Sequence, residues 1–200
     1  MKKVTKPEKL FVLGINGSAR KNGNTAKLLK KVLAYAKREC AKTELLHLVD
    51  KKIKPCINCL AEDNCRMPCN VKDDMQGIYD LLKKTDCIIL GSPTHWYGMS
   101  GLMKNFIDRL TATDTLEPSL LDGKVVGFVA TAGLDGSAQT IAQMFLPLSS
   151  MGAIPVPHAD VYSNNGKVWR SEFGINVEKR LAKNLVTLTR LVKDRQGRWF

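Results

Sequence analysis

The sequence predicts an α/β fold: a doubly wound, five-stranded parallel sheet with helices on both faces. Three observations carry that prediction. Short apolar runs of strand length alternate with longer helical patterns along the 200 residues, with no internal repeat and no low-complexity linker. The run Phe11-Val12-Leu13-Gly14-Ile15 is continuously apolar, as a strand buried on both faces is. Three of the runs end in small or turn-forming residues: Asn16-Gly17-Ser18, Ser92-Pro93 and Thr131-Ala132-Gly133. A hydrophobic content of 44% and a charged content of 25% are ordinary globular values. A chain of this length fits one domain, residues 1–200, with a cysteine-rich insertion loop at residues 54–71.

Phe11 to Ile15 is the first strand. The first helix runs from Thr25 to Arg38, with Leu28, Leu29, Val32, Leu33 and Ala36 on one face. Glu44 to Val49 reads as the second strand. After the irregular cysteine-bearing stretch, Asp73 or Asp74 caps a helix that runs to Lys84. Asp86 to Gly91 is the third strand, stopped by Ser92-Pro93. The following helix places Met103, Phe106, Ile107 and Leu110 on one face. Val125 to Ala130 is the fourth strand and Gln139 to Met151 a helix. Ile154 to Tyr162 is a fifth strand, put at a sheet edge by Pro155 and Pro157. A last helix over 176–193 carries Leu181, Leu185, Leu188 and Val192 at helical spacing.

Right-handed crossovers and short loops favour the flavodoxin-like strand order 2-1-3-4-5. Ligands of such sheets bind beyond the carboxyl ends of the strands, where the order reverses. Three segments then converge: Asn16 to Thr25, Ser92 to Ser100, and Thr131 to Ser137.

The first segment, Gly17-Ser18-Ala19-Arg20-Lys21-Asn22-Gly23-Asn24-Thr25, leads directly into a helix. Hydroxyls, backbone amides and a helix N-terminus suit a phosphate, and Arg20 adds charge. The loop is neither a Walker A motif nor Gly-x-Gly-x-x-Gly. In the second segment, Pro93-Thr94-His95-Trp96-Tyr97-Gly98 offers the apolar walls and few polar groups that a tricyclic flavin ring needs. Trp96 or Tyr97 is the stacking candidate, although both residue types are equally at home in a subunit interface. Gly98 permits close backbone approach. Thr131, Ala132 and Gly133 supply amides from the third strand end.

Four of the six cysteines, Cys56-x2-Cys59-x5-Cys65-x3-Cys69, fall within fourteen positions. In a reducing compartment this grouping points to a metal or cluster before disulfides. Four thiolates match both iron–sulfur ligation and tetrahedral zinc. Cys40 and Cys87 lie in helix and strand patterns and read as core residues.

Lys and Arg outnumber Asp and Glu by 31 to 19, but they are spread along the helices, which describes a solvated surface. No zinc-finger, RNP or helix-turn-helix pattern accompanies them, so no nucleic-acid partner is expected. No apolar run reaches the roughly 20 residues of a membrane span, and the basic N-terminus lacks a secretory core. The expectation is a cytoplasmic protein without a membrane partner.

Taken together, these residues resemble a known family. Gly17-Ser18-Ala19-Arg20 with Gly23-Asn24-Thr25, the cysteine motif with Asp73-Asp74-Met75, Gly91-Ser92-Pro93-Thr94, and Lys104-Asn105-Phe106-Ile107-Asp108-Arg109 are similar to the NADPH-dependent FMN reductase family. Within it they resemble the iron–sulfur flavoprotein branch. The resemblance implies a flavin-dependent oxidoreductase with non-covalent FMN, and a homodimer or homotetramer whose neighbouring subunits help enclose it. It places Ser18, Arg20, Asn24 and Thr25 at the FMN phosphate and Pro93 to Gly98 beside the ring. It also implies a four-iron (4Fe-4S) cluster feeding electrons to FMN. Electrons would come from NAD(P)H or a ferredoxin-like donor and leave to a small-molecule acceptor. The chain departs from that branch at Glu62, where a third cysteine usually stands, and Cys65 is the candidate substitute. Flavin chemistry of this kind needs no acid–base triad, and no catalytic side chain is assigned. Two rivals stay open at this point: a non-enzymatic electron carrier, and a metal-binding regulatory protein on the same scaffold.

Overall fold

The structure is a computed structural model that describes residues 9–156, 159–164, 167–168 and 172–194. In chain order the elements are β1 (Phe11–Asn16), α1 (Asn24–Arg38), β2 (Lys42–His47), α2 (Met75–Lys84), β3 (Cys87–His95), β4 (Gly98–Met99) and α3 (Gly101–Leu110). They continue with β5 (Val125–Ala132), α4 (Ser137–Ser150), β6 (Ile154–Pro155), β7 (Ala159–Asn164), β8 (Lys167–Val168) and α5 (Glu172–Asp194). The parallel strands run in the order β2-β1-β3-β5-β7, with β8 added antiparallel to β7. This is the expected doubly wound order, and the chain crosses over between β1 and β3.

Alternation along the strands divides the core into two layers. Leu13, Ile15, Ile88, Leu90, Val126 and Phe128 face α2, α3 and α4, where they meet Ile78, Leu82, Phe106, Leu110 and Met144. Val12, Cys87, Ile89, Val125 and Val129 face α1 and α5, against Leu29, Val32, Leu33, Leu181 and Leu185. The second layer is thin where β3 carries Gly91. A Cβ on Gly91 would stand 2.6 Å from Leu29 Cδ1, so the absent side chain is what lets α1 lie this close to the sheet.

Several element boundaries differ from the sequence reading. Strand β3 does not stop at Ser92-Pro93 but runs on to His95, with Pro93 paired to Thr131. Its pairing to β1 ends at Gly91, so beyond that point it is held on one side only, where proline is tolerated. The strand then doubles back, Thr94 opposite Met99 and His95 opposite Gly98. The expected fifth strand is two strands, β6 and β7, each parallel to β5; Pro157 lies outside the described residues. With β4 and β8 also added, the sheet has eight strands among the described residues rather than five.

Cys87 is buried, and burial pushes its thiol up to about 12. Cys40, expected in the core, is exposed. It follows the last residue of α1 and its cap Glu39 at φ +64, and the left-handed turn that ends the helix carries its side chain out of the buried face.

Candidate functional site

The carboxyl ends of β1, β3 and β5 form one cleft of about 290 Å³. Ser18, Arg20, Asn24 and Thr25 line it from the loop after β1 and the start of α1. Pro93, Thr94 and His95 line it from the end of β3, and Thr131, Ala132 and Gly133 from the end of β5. The three loops expected to converge do so. Its volume lies near the lower end of ligand pockets, roughly 300–1,000 Å³, as suits an open cleft over one side of its ligand.

The loop after β1 is built from its own short side chains. Asn16 is fully buried; its Oδ1 accepts from the Ser18 amide (3.1 Å) and its Nδ2 donates to His47 Nδ1 (2.9 Å). That second bond uses the neutral imidazole. Burial, followed by the Lys21 charge, holds the His47 pKa below its ordinary value. The Ser18 hydroxyl accepts from the Arg20 amide (3.1 Å), and Gly23 closes the turn onto the Arg20 carbonyl (3.0 Å).

Helix α1 then starts at Asn24. Its cap, Gly23, has no side chain to satisfy the first-turn amides, and no acidic residue stands in that turn. Capping hydroxyls and carboxylates are what usually meet such groups. Their absence, beside Arg20 and at the positive end of the helix dipole, leaves a place suited to a phosphate.

The other two loops are braced from behind. Thr25 Oγ1 and Thr131 Oγ1 share a 2.7 Å hydrogen bond across the cleft floor, both side chains being buried. Thr94 Oγ1 bonds Thr140 Oγ1 (2.9 Å), and the Thr140 hydroxyl reaches the Gly136 carbonyl (3.0 Å). Ser100, the cap of α3, accepts from the Met103 amide, while its hydroxyl donates to the Gly17 carbonyl at 2.6 Å. It thus locks the first loop to the second. These bracing roles, like that of Asn16, had only a weak signal in the sequence: small polar residues inside apolar surroundings.

Trp96, Tyr97 and Gly98 do not line the cleft. Trp96 and Tyr97 are the two central residues of the β3–β4 hairpin, at φ +48 and +62. A two-residue hairpin loop of this kind asks for positive φ at both positions, which Asn and Gly accept and aromatics resist. The turn leaves Trp96 98% exposed and Tyr97 57% exposed. Gly98 is approached by a side chain of α4: a Cβ there would lie 2.9 Å from Gln143 Oε1.

The four clustered cysteines lie on one loop 20 residues and more from any of these strand ends in sequence, and all are free thiols. Cys56 is exposed, Cys59 and Cys65 are half-buried, and Cys69 is 6% exposed. A 3-10 turn, Cys59–Glu62, is bounded by Asn58 and Asp63 at φ +53 and +51, residue types that accept this backbone. Burial pushes the Cys65 thiol up to about 11, with contributions from Cys59, Cys69 and Cys56. No three His, Cys, Asp or Glu side chains among the described residues stand together as a metal site. In kind, four free thiols on one loop fit a thiolate-ligated metal or cluster.

The feet of this loop are held by Asp73 and Arg109, neither of which the sequence reading placed in a site. The cap of α2 is Asp74, and the Asp73 carboxylate just before it accepts from the Met75 amide (3.0 Å) and from the Lys54 amide (2.8 Å). Arg109 of α3, 1% exposed, meets Asp73 Oδ2 at 2.6 Å. The signal for Arg109 was its place three residues after Phe106, on the margin of an otherwise apolar helix face.

Comparison with known proteins bears on the same residues. The family model for NADPH-dependent FMN reductase matches residues 10–167, which include every segment of the cleft and the cysteine loop. An iron–sulfur flavoprotein of Archaeoglobus fulgidus is 30% identical over 92% of this chain and 97% of its own length. One from Methanocaldococcus jannaschii is 30% identical over 91% of this chain and 98% of its own. An NAD(P)H-dependent FAD/FMN reductase of Geobacillus thermodenitrificans is 28% identical over 76% of each. Among solved structures, RosB with a bound riboflavin-phosphate intermediate superposes with a TM-score of 0.78 over 94% of this chain and 82% of that one, at 16% identity. A flavodoxin from the domain Archaea superposes with a TM-score of 0.60 over 92% of this chain and 99% of its own, also at 16% identity. These two share the fold. The chain belongs to the NADPH-dependent FMN reductase family and is a flavin oxidoreductase.

Proposed function

We propose that the cleft binds FMN, that a nicotinamide is the electron donor, and that Cys56, Cys59, Cys65 and Cys69 hold a 4Fe-4S cluster that exchanges electrons with the flavin. The observation that carries the reading is the cleft itself: an uncapped helix N-terminus with Arg20 at one end, and braced hydroxyls and backbone at the other. Ser18, Arg20, Asn24 and Thr25 take the phosphate. Pro93 to His95 and Thr131 to Gly133 take the ring, with Trp96, Tyr97 and Gly98 on the hairpin beside it. When bound, FMN supplies two-electron chemistry toward the nicotinamide and one- or two-electron chemistry toward a small-molecule acceptor.

The chain's own part is to fix that ring. The Thr25–Thr131 and Thr94–Thr140 bonds hold the loops at a set distance, so the ring meets a rigid wall rather than loops that must order on binding. The exposed hairpin suits a homodimer or homotetramer in which a neighbouring copy covers Trp96. A ferredoxin-like donor acting at the cysteine loop is the alternative entry for electrons.

The test is anaerobic mixing of the FMN-loaded protein with NADPH, following the flavin absorbance. Bleaching within the turnover time supports the nicotinamide as donor. Flavin that stays oxidised with NADPH and NADH, yet is reduced by a ferredoxin-type protein, overturns it.

A further inference from the structure

Arg109 is the most deeply buried large charged side chain described, and flavin binding gives it no task. It sits on α3, but every side-chain partner it has lies on the cysteine loop or its feet. Nη1 donates to the Lys54 carbonyl (2.9 Å) and to Asp73 Oδ2 (2.6 Å). Nη2 donates to the Val71 carbonyl (3.1 Å), to Asp73 Oδ1 (3.3 Å) and to Cys69 Sγ (3.4 Å). One planar fork thus joins the segment entering the loop, the segment leaving it, and one sulfur. A guanidinium is suited to this because its donors diverge in a fixed plane, which an ammonium cannot reproduce.

The neighbours complete the clamp. Asn105, one turn earlier on α3, donates to the Ile53 carbonyl (2.6 Å). Lys52 and Asp74 bond each other across the feet, the Lys52 amide to the Asp74 carboxylate at 2.8 Å and the Asp74 amide to the Lys52 carbonyl at 3.3 Å. Gln76 reaches the Cys69 carbonyl (3.2 Å), and the Tyr79 hydroxyl donates to the Arg109 carbonyl (2.6 Å). Cys69 is therefore fixed by its backbone and by its sulfur, whereas Cys56 stands exposed.

We infer that Arg109 is the positioning residue of the cysteine loop: it sets Cys69 as the preformed ligand on which the other three thiols close, and its N–H to that sulfur raises the reduction potential of the bound cluster. The second half rests on the reading that these cysteines hold a cluster. A hydrogen bond and a positive charge at a ligating sulfur favour the form carrying the extra electron.

The test uses the full chain purified without oxygen, as wild type, R109K and R109Q, with FMN, iron and sulfide content measured for each. In metal-stripped protein, alkylation of Cys69 by iodoacetamide is followed by peptide mass mapping. Loss of the fork is expected to speed it on the order of tenfold, the effect of losing one charged hydrogen bond. In loaded protein, an EPR-monitored titration is expected to give a more negative cluster potential in R109K and a larger shift in R109Q, with FMN content unchanged. A purely structural role would lower the iron content but leave the potential of the remaining cluster where it was. Unchanged potential and unchanged Cys69 alkylation in R109K overturn the inference; should R109Q fail to fold, R109K decides alone. Wild-type protein holding FMN but no iron or sulfide would refute the cluster reading instead, and the alkylation rates would still decide the role of Arg109.

Discussion

Replacing Gly136 by alanine perturbs both the fold and the cleft, and the structure sets the size of the effect. Gly136 precedes α4 at φ +88 and ψ 9, a left-handed conformation. An L-residue there costs about 1–2 kcal/mol. The added Cβ would also stand 3.0 Å from Thr94 Cγ2, from the Tyr97 Cα and from Tyr97 Cδ1. Tyr97 Cα is backbone and cannot swing aside, so the hairpin must shift, and Thr94, which lines the cleft, must move with it. Alanine restricts the unfolded chain and recovers about 0.4–1 kcal/mol. The backbone terms net to a loss of about 0–1.6 kcal/mol, to which the shift of the hairpin adds, and each kcal/mol lost lowers the melting temperature by roughly 2–4 °C for a chain of this size. Calorimetry of the flavin-free protein reads the stability, and fluorescence titration with FMN reads the cleft, where weaker binding is expected. Gly133→Ala is the control: its Cβ meets nothing within 4 Å and its φ is not positive, so stability should stay within about 0.5 kcal/mol. A G136A protein that melts with the wild type and binds FMN equally well would refute the reasoning.

Other perturbations have equally definite outcomes. Gly77→Ala, in the first turn of α2 with open space around it, should stabilise the protein by up to about 1 kcal/mol in denaturant titration, as helix propensity requires. Thr25→Val removes one partner of the Thr25–Thr131 bond and leaves the other hydroxyl buried; it should lose about 1–3 kcal/mol of stability and weaken FMN binding in the same titration. Burial alone would raise the Asp73 pKa, but the Arg109 guanidinium and the Lys54 and Met75 amides outweigh it and hold the carboxyl below its ordinary 3.8. A depressed carboxylate contributes stability that is complete above the unfolded value and lost as pH falls through the folded one. The denaturant midpoint of D73N should therefore depend less on pH than that of the wild type below about pH 4.

Much of the fold was legible because burial on both faces writes itself as uninterrupted apolar runs. Phe11 to Ile15, Asp86 to Gly91 and Val125 to Ala130 fall within β1, β3 and β5 apart from Asp86, and the apolar spacing of α1 and α3 marks the faces they bury. The cleft was legible for the same reason: strand order fixes which loops meet, and ten of the residues singled out line it. What escaped depends on distant partners. Pro93 reads as a stop unless one knows that β1 has already parted from β3. Trp96 and Tyr97 are legible as aromatics at the end of β3, but nothing local announces that they form a two-residue hairpin in left-handed backbone. Cys40 reads as core because nothing local announces the left-handed turn, two residues past the helix end, that turns it to solvent. Arg109 and Asp73 stand 36 residues apart, and only the closed cysteine loop explains why a charged pair should be buried there.

The measurement that tests the account most directly is the absorbance spectrum of protein purified without oxygen, with FMN, iron and acid-labile sulfide assayed on the same sample. The account predicts flavin bands at about one FMN per chain, together with a broad thiolate-to-iron absorption and about four iron and four sulfide per chain. Protein that stays free of flavin even after FMN is added would contradict it.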